Sequence, residues 1–293
     1  MKEINLNQLS TSKMSHNPKL LSSLSAVGCR KGNKGGRLGR PGKLSIEQIY
    51  ECILLKSQYS IQYWKCLFKL YQKIYPDVVM PVYHNCLSSV YKFFFWIVKA
   101  INLILYQNRE RFLAGKVKVA LIDSTPLPVC HILRSSRHRT MKEFAEFSKG
   151  TMGWYFGMKF HIVIDYSTNL PIYATFTKAK IDDRQILKQI MENDNLFNNT
   201  GTMFVADKGY QALWLEQLAY ETGNYLITGK RKSKSMRILA SQFDIHLLHH
   251  RARVETPFSK LKGKYNMTLT KSRSVFGYLF NYTFSLFSLV TEV

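Results

Sequence analysis

A chain of 293 residues, 46% of them hydrophobic, can bury a large core and has room for two domains, which excludes the disordered and fibrous classes. Its 42 Lys and Arg against 19 Asp and Glu give a formal net charge of +23. Such an excess self-repels unless a polyanion neutralises it, so nucleic acid is the expected partner. The charge is spread along the chain rather than gathered on one amphipathic helix, which argues against a membrane surface. The five cysteines form no CxxC pair, which argues against zinc and for a reducing, cytosolic setting. The opening residues have no apolar core of the signal-peptide type.

Residues 1–28 are polar and Ser-rich and read as a loosely ordered arm. Cys29 to Lys43 (CRKGNKGGRLGRPGK) carries six cations and no acid, with Arg37 and Arg40 flanking Leu38 and Gly39. Its glycines make it pliable and its cations suit phosphate, and Gly-Arg-Pro suits a narrow minor groove; a charged linker is the plainer reading. Ser45 followed by Gln48 is a capping-box pattern that starts a helix through Ile49, Ile53 and Leu54. A second helix is expected over 61–74, with Tyr63, Leu67, Leu70 and Tyr71 inward, and a third over 85–106. The three make a helical domain over 44–113 that either reads DNA ends or dimerises. The apolar stretches at 91–106 and 275–290 are interrupted by Lys92 and Lys99 or dotted with small polar residues, and neither is expected to span a membrane.

From Lys116 the run KVKVALIDSTPLP predicts a buried strand ending on Asp123, with Pro126 and Pro128 stopping further pairing. A basic segment follows over 131–153, with Arg134, Arg137, Arg139, Lys142 and Lys149 placed to meet a nucleic-acid backbone. WYFGMKFHIVID and LPIYATFTK, joined by Tyr-Ser-Thr-Asn, predict a hairpin. Trp154 is expected at the rim of the core, His161 as a structural strand residue, and Asp182 or Asp183 as the cap of a helix through Ile186 and Ile190, with support of a neighbouring acidic site as the alternative role for these two. TMFVA is a second buried strand that ends on Asp207, and Lys208 and Tyr210 beside it are candidate DNA contacts, with packing of the following helix start the equal alternative for Tyr210. A helix closed by Gly223, the strand YLIT and the basic loop 230–237 follow. HRARVETPFSKLKGK predicts a helix in which Arg251, Glu255 and Lys262 share one face, and 275–290 predicts an apolar last helix packed on the core.

If the Asp123 and Asp207 strands are parallel neighbours, the two carboxylates stand together at one sheet edge, and Glu255 from a crossing helix completes a cluster of three. Like charges at that range repel, and a divalent cation with a preference for hard oxygen ligands, Mg²⁺ or Mn²⁺, relieves the repulsion. Two such ions support in-line phosphoryl transfer. Arg251 and Lys262 are then placed to hold phosphates.

The segments LIDSTPLPVC, GWYFGMKFHIVID, DDRQIL, ADKGY and RARVETPFSKLK, in this order, resemble the DDE transposases of bacterial insertion sequences. The resemblance covers about Val117 to Lys264. It implies an α/β, RNase H-like mixed sheet flanked by helices over 114–293, behind the all-α domain. It also implies Asp123, Asp207 and Glu255 as the catalytic, metal-binding triad with two Mg²⁺ or Mn²⁺ ions. The implied activity is cleavage at element ends and transfer of the freed strand into target DNA. The implied partners are DNA, both terminal inverted repeats and target, and a second copy of the chain on that DNA, with no membrane and no small-molecule substrate. The implied location is the bacterial cytoplasm, at the nucleoid. An RNase H-like endonuclease or resolvase that does not join strands is the alternative, as is a non-catalytic DNA-binding descendant. Leu248 stands where a related branch carries a signature Tyr, and the interval from Asp207 to Glu255 leaves no room for a large inserted domain.

Overall fold

The computed structural model describes residues 44–59, 61, 63–150, 153–193, 195–229, 242–268 and 272–292. The basic arm with Arg37 and Arg40, and the loop 230–237, lie outside them. Two compact units divide the chain: residues 1–104 with 264–266 and 279–293, and residues 105–263 with 267–278.

The first unit is helical. Ser45 caps α1 (Ile46–Gln58): the Gln48 N–H donates to its Oγ at 3.3 Å, and the Ser45 N–H donates to Gln48 Oε1 at 2.9 Å. α2 (Trp64–Ile74) starts later than its apolar period suggests, and Tyr63 is exposed rather than inward, while Leu67, Phe68 and Tyr71 are buried. The expected third helix is two, α3 (Tyr83–Tyr91) and α4 (Phe94–Leu113), broken at Lys92 and Phe93 where no Pro or Gly marks the break. By length and composition Tyr83–Leu113 passes as a membrane span, a test that core helices of soluble proteins also pass. The last helix, α9 (Val275–Val290), groups from Leu279 onward with these helices and not with the sheet. Phe280 and Phe284 lie 5.8 and 5.6 Å from the ring of Trp64. The ammonium of Lys56, buried over Trp64 and Phe284, donates to the Ile61 carbonyl at 2.8 Å.

The second unit is built on a mixed sheet. Its strands are β1 (Val119–Pro128), β2 (Glu146–Gly150), β3 (Gly153–Asp165), β4 (Pro171–Lys178), β5 (Met203–Ala206) and β6 (Tyr225–Thr228). The order is β2-β3-β1-β5-β6, with β4 also paired to β3. β3 runs antiparallel to β1, β4 and β2, while β5 is parallel to β1 and β6 parallel to β5. An antiparallel β1-β3-β4 meander joined through β1 to two parallel strands is the RNase H-like sheet that the resemblance implies. Ala120, Ile122, Phe204 and Ala206 face a core closed by α5 (Asp183–Glu192) and α6 (Leu213–Glu221) through Ile186, Leu187, Ile190 and Leu215. The sheet is thus covered by helices, as buried parallel strands require.

β1 outruns its expected end. It stays paired with β3 through Pro126 and Pro128, because Val129 N–H donates to the Phe156 carbonyl at 3.0 Å. By alternation the missing N–H groups of the two prolines face the other side of β1, where pairing with β5 has stopped at Leu121. Likewise β2 lies inside a segment expected to be irregular, after a 3-10 turn at Ile132–Arg137.

Candidate active site

The parallel rungs of β1 and β5 end at Leu121↔Val205. Asp123 and Asp207 each follow two residues later, so both leave neighbouring strands at the same carboxyl edge and on the same face. Asp123 is the more enclosed. Burial pushes its carboxyl up to about 6; the Ser124 N–H and Arg251 oppose this, while Asp207 and Asp183 add to it. Asp207 is half-exposed and pairs with the Arg251 guanidinium at 3.2 Å. An ion pair this exposed adds little stability, so its effect is to hold the carboxylate in place.

Arg251 lies in a 3-10 turn, His250–Val254, that packs against β1. The turn runs on into α8 (Glu255–Ser259) and then a π-helical turn at Lys260–Lys264, so the expected single helix changes pitch twice. A further helix, α7 (Gln242–His249), precedes it where none was expected. Lys262 is half-buried; burial lowers its pKa and the charge of Asp123 opposes the shift, which puts its ammonium in the field of that carboxylate. Asp123, Asp207, Arg251 and Lys262 therefore converge. Glu255 stands exposed at the head of α8, directly after that turn. No group of three His, Cys, Asp or Glu side chains among the described residues is spaced to hold a metal.

Lys208 is exposed, and so are Arg134, Arg137 and Arg139 on the segment after β1. Tyr210, a candidate DNA contact, is not available to it. It is 2% exposed, in the core beneath the carboxylates, because the 3-10 turn Lys208–Tyr210 drives it inward. Its hydroxyl has no partner among the described residues, and burial with the charges of Asp183, Asp123, Asp182 and Asp207 raises its pKa well above the usual range. Trp154, expected at the core rim, is 64% exposed, opposite Lys149 on the β2–β3 ribbon. Asp165 is structural, accepting hydrogen bonds from Ser167 and Thr168 in the hairpin turn.

Asp183, and Lys159, which sequence reasoning misses, complete the surroundings. Asp182 caps α5 by accepting the Arg184 N–H at 3.0 Å, which leaves Asp183 to accept the Ser124 hydroxyl and the Lys159 ammonium, each at 2.8 Å. The signal for Lys159 is a lone cation in the apolar strand GWYFGMKFHIVID, since a charge in a buried strand needs a partner.

Paired aspartates on a sheet edge, one desolvated and raised by its neighbour's charge, fit a hard divalent cation as donors. Binding of Mn²⁺ to the protein is expected to weaken about tenfold between pH 7 and pH 5, as Asp123 takes up its proton. Titration by electron paramagnetic resonance at the two pH values checks this, and equal affinities would contradict it.

The fold and its acidic edge define an RNase H-like nucleic-acid enzyme. Residues 114–275 match the family model described as "Transposase DDE domain". The match spans more than half of the chain, and the chain belongs to the DDE-domain transposases. No curated protein matches it. Among solved structures, the Mos1 transposase paired-end complex with left transposon end is 11% identical, with 95% of this chain and 85% of that chain covered and a TM-score of 0.25. A pre-cleavage Mos1 transpososome is 10% identical over 91% and 83%, with a TM-score of 0.23. At such TM-scores the backbones do not superpose as whole chains.

Proposed function

We propose that this transposase cleaves DNA at the ends of a bacterial insertion sequence and joins the freed 3′ ends to target DNA, acting as a dimer on the two ends. The observation that carries the reading is the placement of Asp123 and Asp207 at the carboxyl edge, with Arg251 and Lys262 over them. Two bound Mg²⁺ or Mn²⁺ ions would supply an activated water or hydroxyl and charge neutralisation at the scissile phosphate. Asp123 and Asp207 would hold them. Glu255, at the head of α8 directly after the turn that packs on β1, would be the third carboxylate for the cations. Arg251 and Lys262 would take the flanking phosphates. Lys208, Arg134, Arg137 and Arg139 extend the cationic track, and Arg37 and Arg40 in the N-terminal arm add to it.

Incubating the protein with labelled end DNA, target DNA and Mg²⁺ tests the activity. Joined products are expected, and cleavage without joining would leave an RNase H-like endonuclease. The track has its own test. Replacing Arg134, Arg137 and Arg139 together by Ala should reduce the slope of log affinity against log salt by about 2.7, at about 0.9 for each phosphate no longer neutralised. An unchanged slope would remove this segment from the interface.

A further inference from the structure

Asp183 is committed at both carboxylate oxygens. Oδ1 accepts from the Lys159 ammonium at 2.8 Å and Oδ2 from the Ser124 hydroxyl at 2.8 Å. Lys159 is itself fixed by a second acceptor, the Ile181 carbonyl at 2.9 Å, and its side chain is 17% exposed. His161 lies beside them, fully buried, with Nδ1 4.0 Å from Asp183 and Nε2 2.8 Å from the Thr177 hydroxyl. Burial keeps its ring neutral, so the charge that balances Asp183 is Lys159.

Ser124 is the residue after Asp123, and the two point to opposite faces of β1. The Ser124 side chain is on the α5 face, with Ala120 and Ile122. Its N–H donates to Asp123 Oδ1 at 2.7 Å. One residue thus ties a part-buried ion pair on one face of the sheet to the carboxylate on the other.

We propose that Asp183 is a positioning residue for Asp123: anchored by Lys159, it fixes Ser124, and the Ser124 N–H fixes the Asp123 carboxylate in the orientation that receives a cation. This rests on Asp123 holding that cation. Groups that orient metal-binding side chains commonly change metal affinity 10–100-fold when removed. Asp183 also helps to anchor α5, so loss of activity in a variant would not separate orientation from folding.

The test is therefore Mn²⁺ binding to the full chain without DNA, followed by electron paramagnetic resonance, with the unfolding temperature recorded. Ser124→Ala deletes one hydroxyl and Asp183→Asn leaves one oxygen for two donors. Each is expected to weaken binding about tenfold, and the double variant also about tenfold, because the two act along one path. Full-strength binding in both single variants, even with a lowered unfolding temperature, would overturn the proposal. So would a double variant weakened by the product of the single effects. Asp123→Asn separates the two levels. If it binds Mn²⁺ normally, the active-site reading fails as well; if it does not bind while both single variants do, only the positioning role fails.

Discussion

Asp123→Asn and Asp207→Asn are each expected to cut end cleavage at least about a thousandfold, while duplex DNA still binds. The size follows from the proposed role of the two carboxylates as cation ligands. Metal-ion stabilisation of a phosphoryl-transfer transition state is worth several kcal/mol, and about 4 kcal/mol is three powers of ten in rate. DNA binding survives because it is carried by cations, and removing an acid from a chain of net charge +23 only strengthens that field. Glu255→Gln separates two cases. As the third carboxylate it should match the aspartates; as the surface residue seen in the free protein it should change cleavage little. A gel-based cleavage assay beside a binding assay on the same DNA reads both quantities. Normal cleavage in either aspartate variant would remove that residue from the site.

The second large effect is structural. An added Cβ at Gly157 would meet the Leu127 carbonyl oxygen at 2.1 Å and its carbon at 2.9 Å, both backbone atoms that cannot swing aside. Gly157 sits where β3 pairs with Pro128 of β1 and with Glu146 of β2, so β1 and β3 would have to part to admit a methyl group. Gly157→Ala is expected to destabilise the protein by about 3 kcal/mol or more, the range of severe overpacking. Loss of soluble protein, or a denaturation midpoint lowered with unchanged m, is the expected result. The comparison is Gly209→Ala, which would meet nothing within 4 Å. Equal stability of the Gly157 and Gly209 variants would show that β1 and β3 do not approach this closely.

The strands that are legible in the sequence carry their own punctuation. YLIT and TMFVA are bounded by Gly, Asn and Asp, and the hairpin turn is spelled by Tyr-Ser-Thr-Asn. The two aspartates can be named because each closes an apolar run, and the capping box fixes the start of α1. The expected β1 is too short because prolines read as stops, whereas tertiary context gives them a side of the strand with no neighbour to bond. Tyr210 stays undecided in the sequence because a tyrosine next to a strand-end Asp looks the same whether it points out or in. Asp182 and Asp183 both suit a helix cap, and only the packed structure assigns the cap to one and the tie to Ser124 to the other. Glu255 rests on spacing from Arg251 and Lys262, and the changes of helical pitch along 250–264 show why spacing alone does not fix a direction.

Three rungs, Val119↔Met203, Ala120↔Phe204 and Leu121↔Val205, are all that set the height of Asp207 against Asp123. Removing one residue from Met203–Ala206 would bring Lys208 level with Asp123 and turn the following side chains over. An ammonium would then occupy the place of an acid. The short β5 segment therefore works as a ruler: a gain or loss of a single position there would move the carboxylate off the edge.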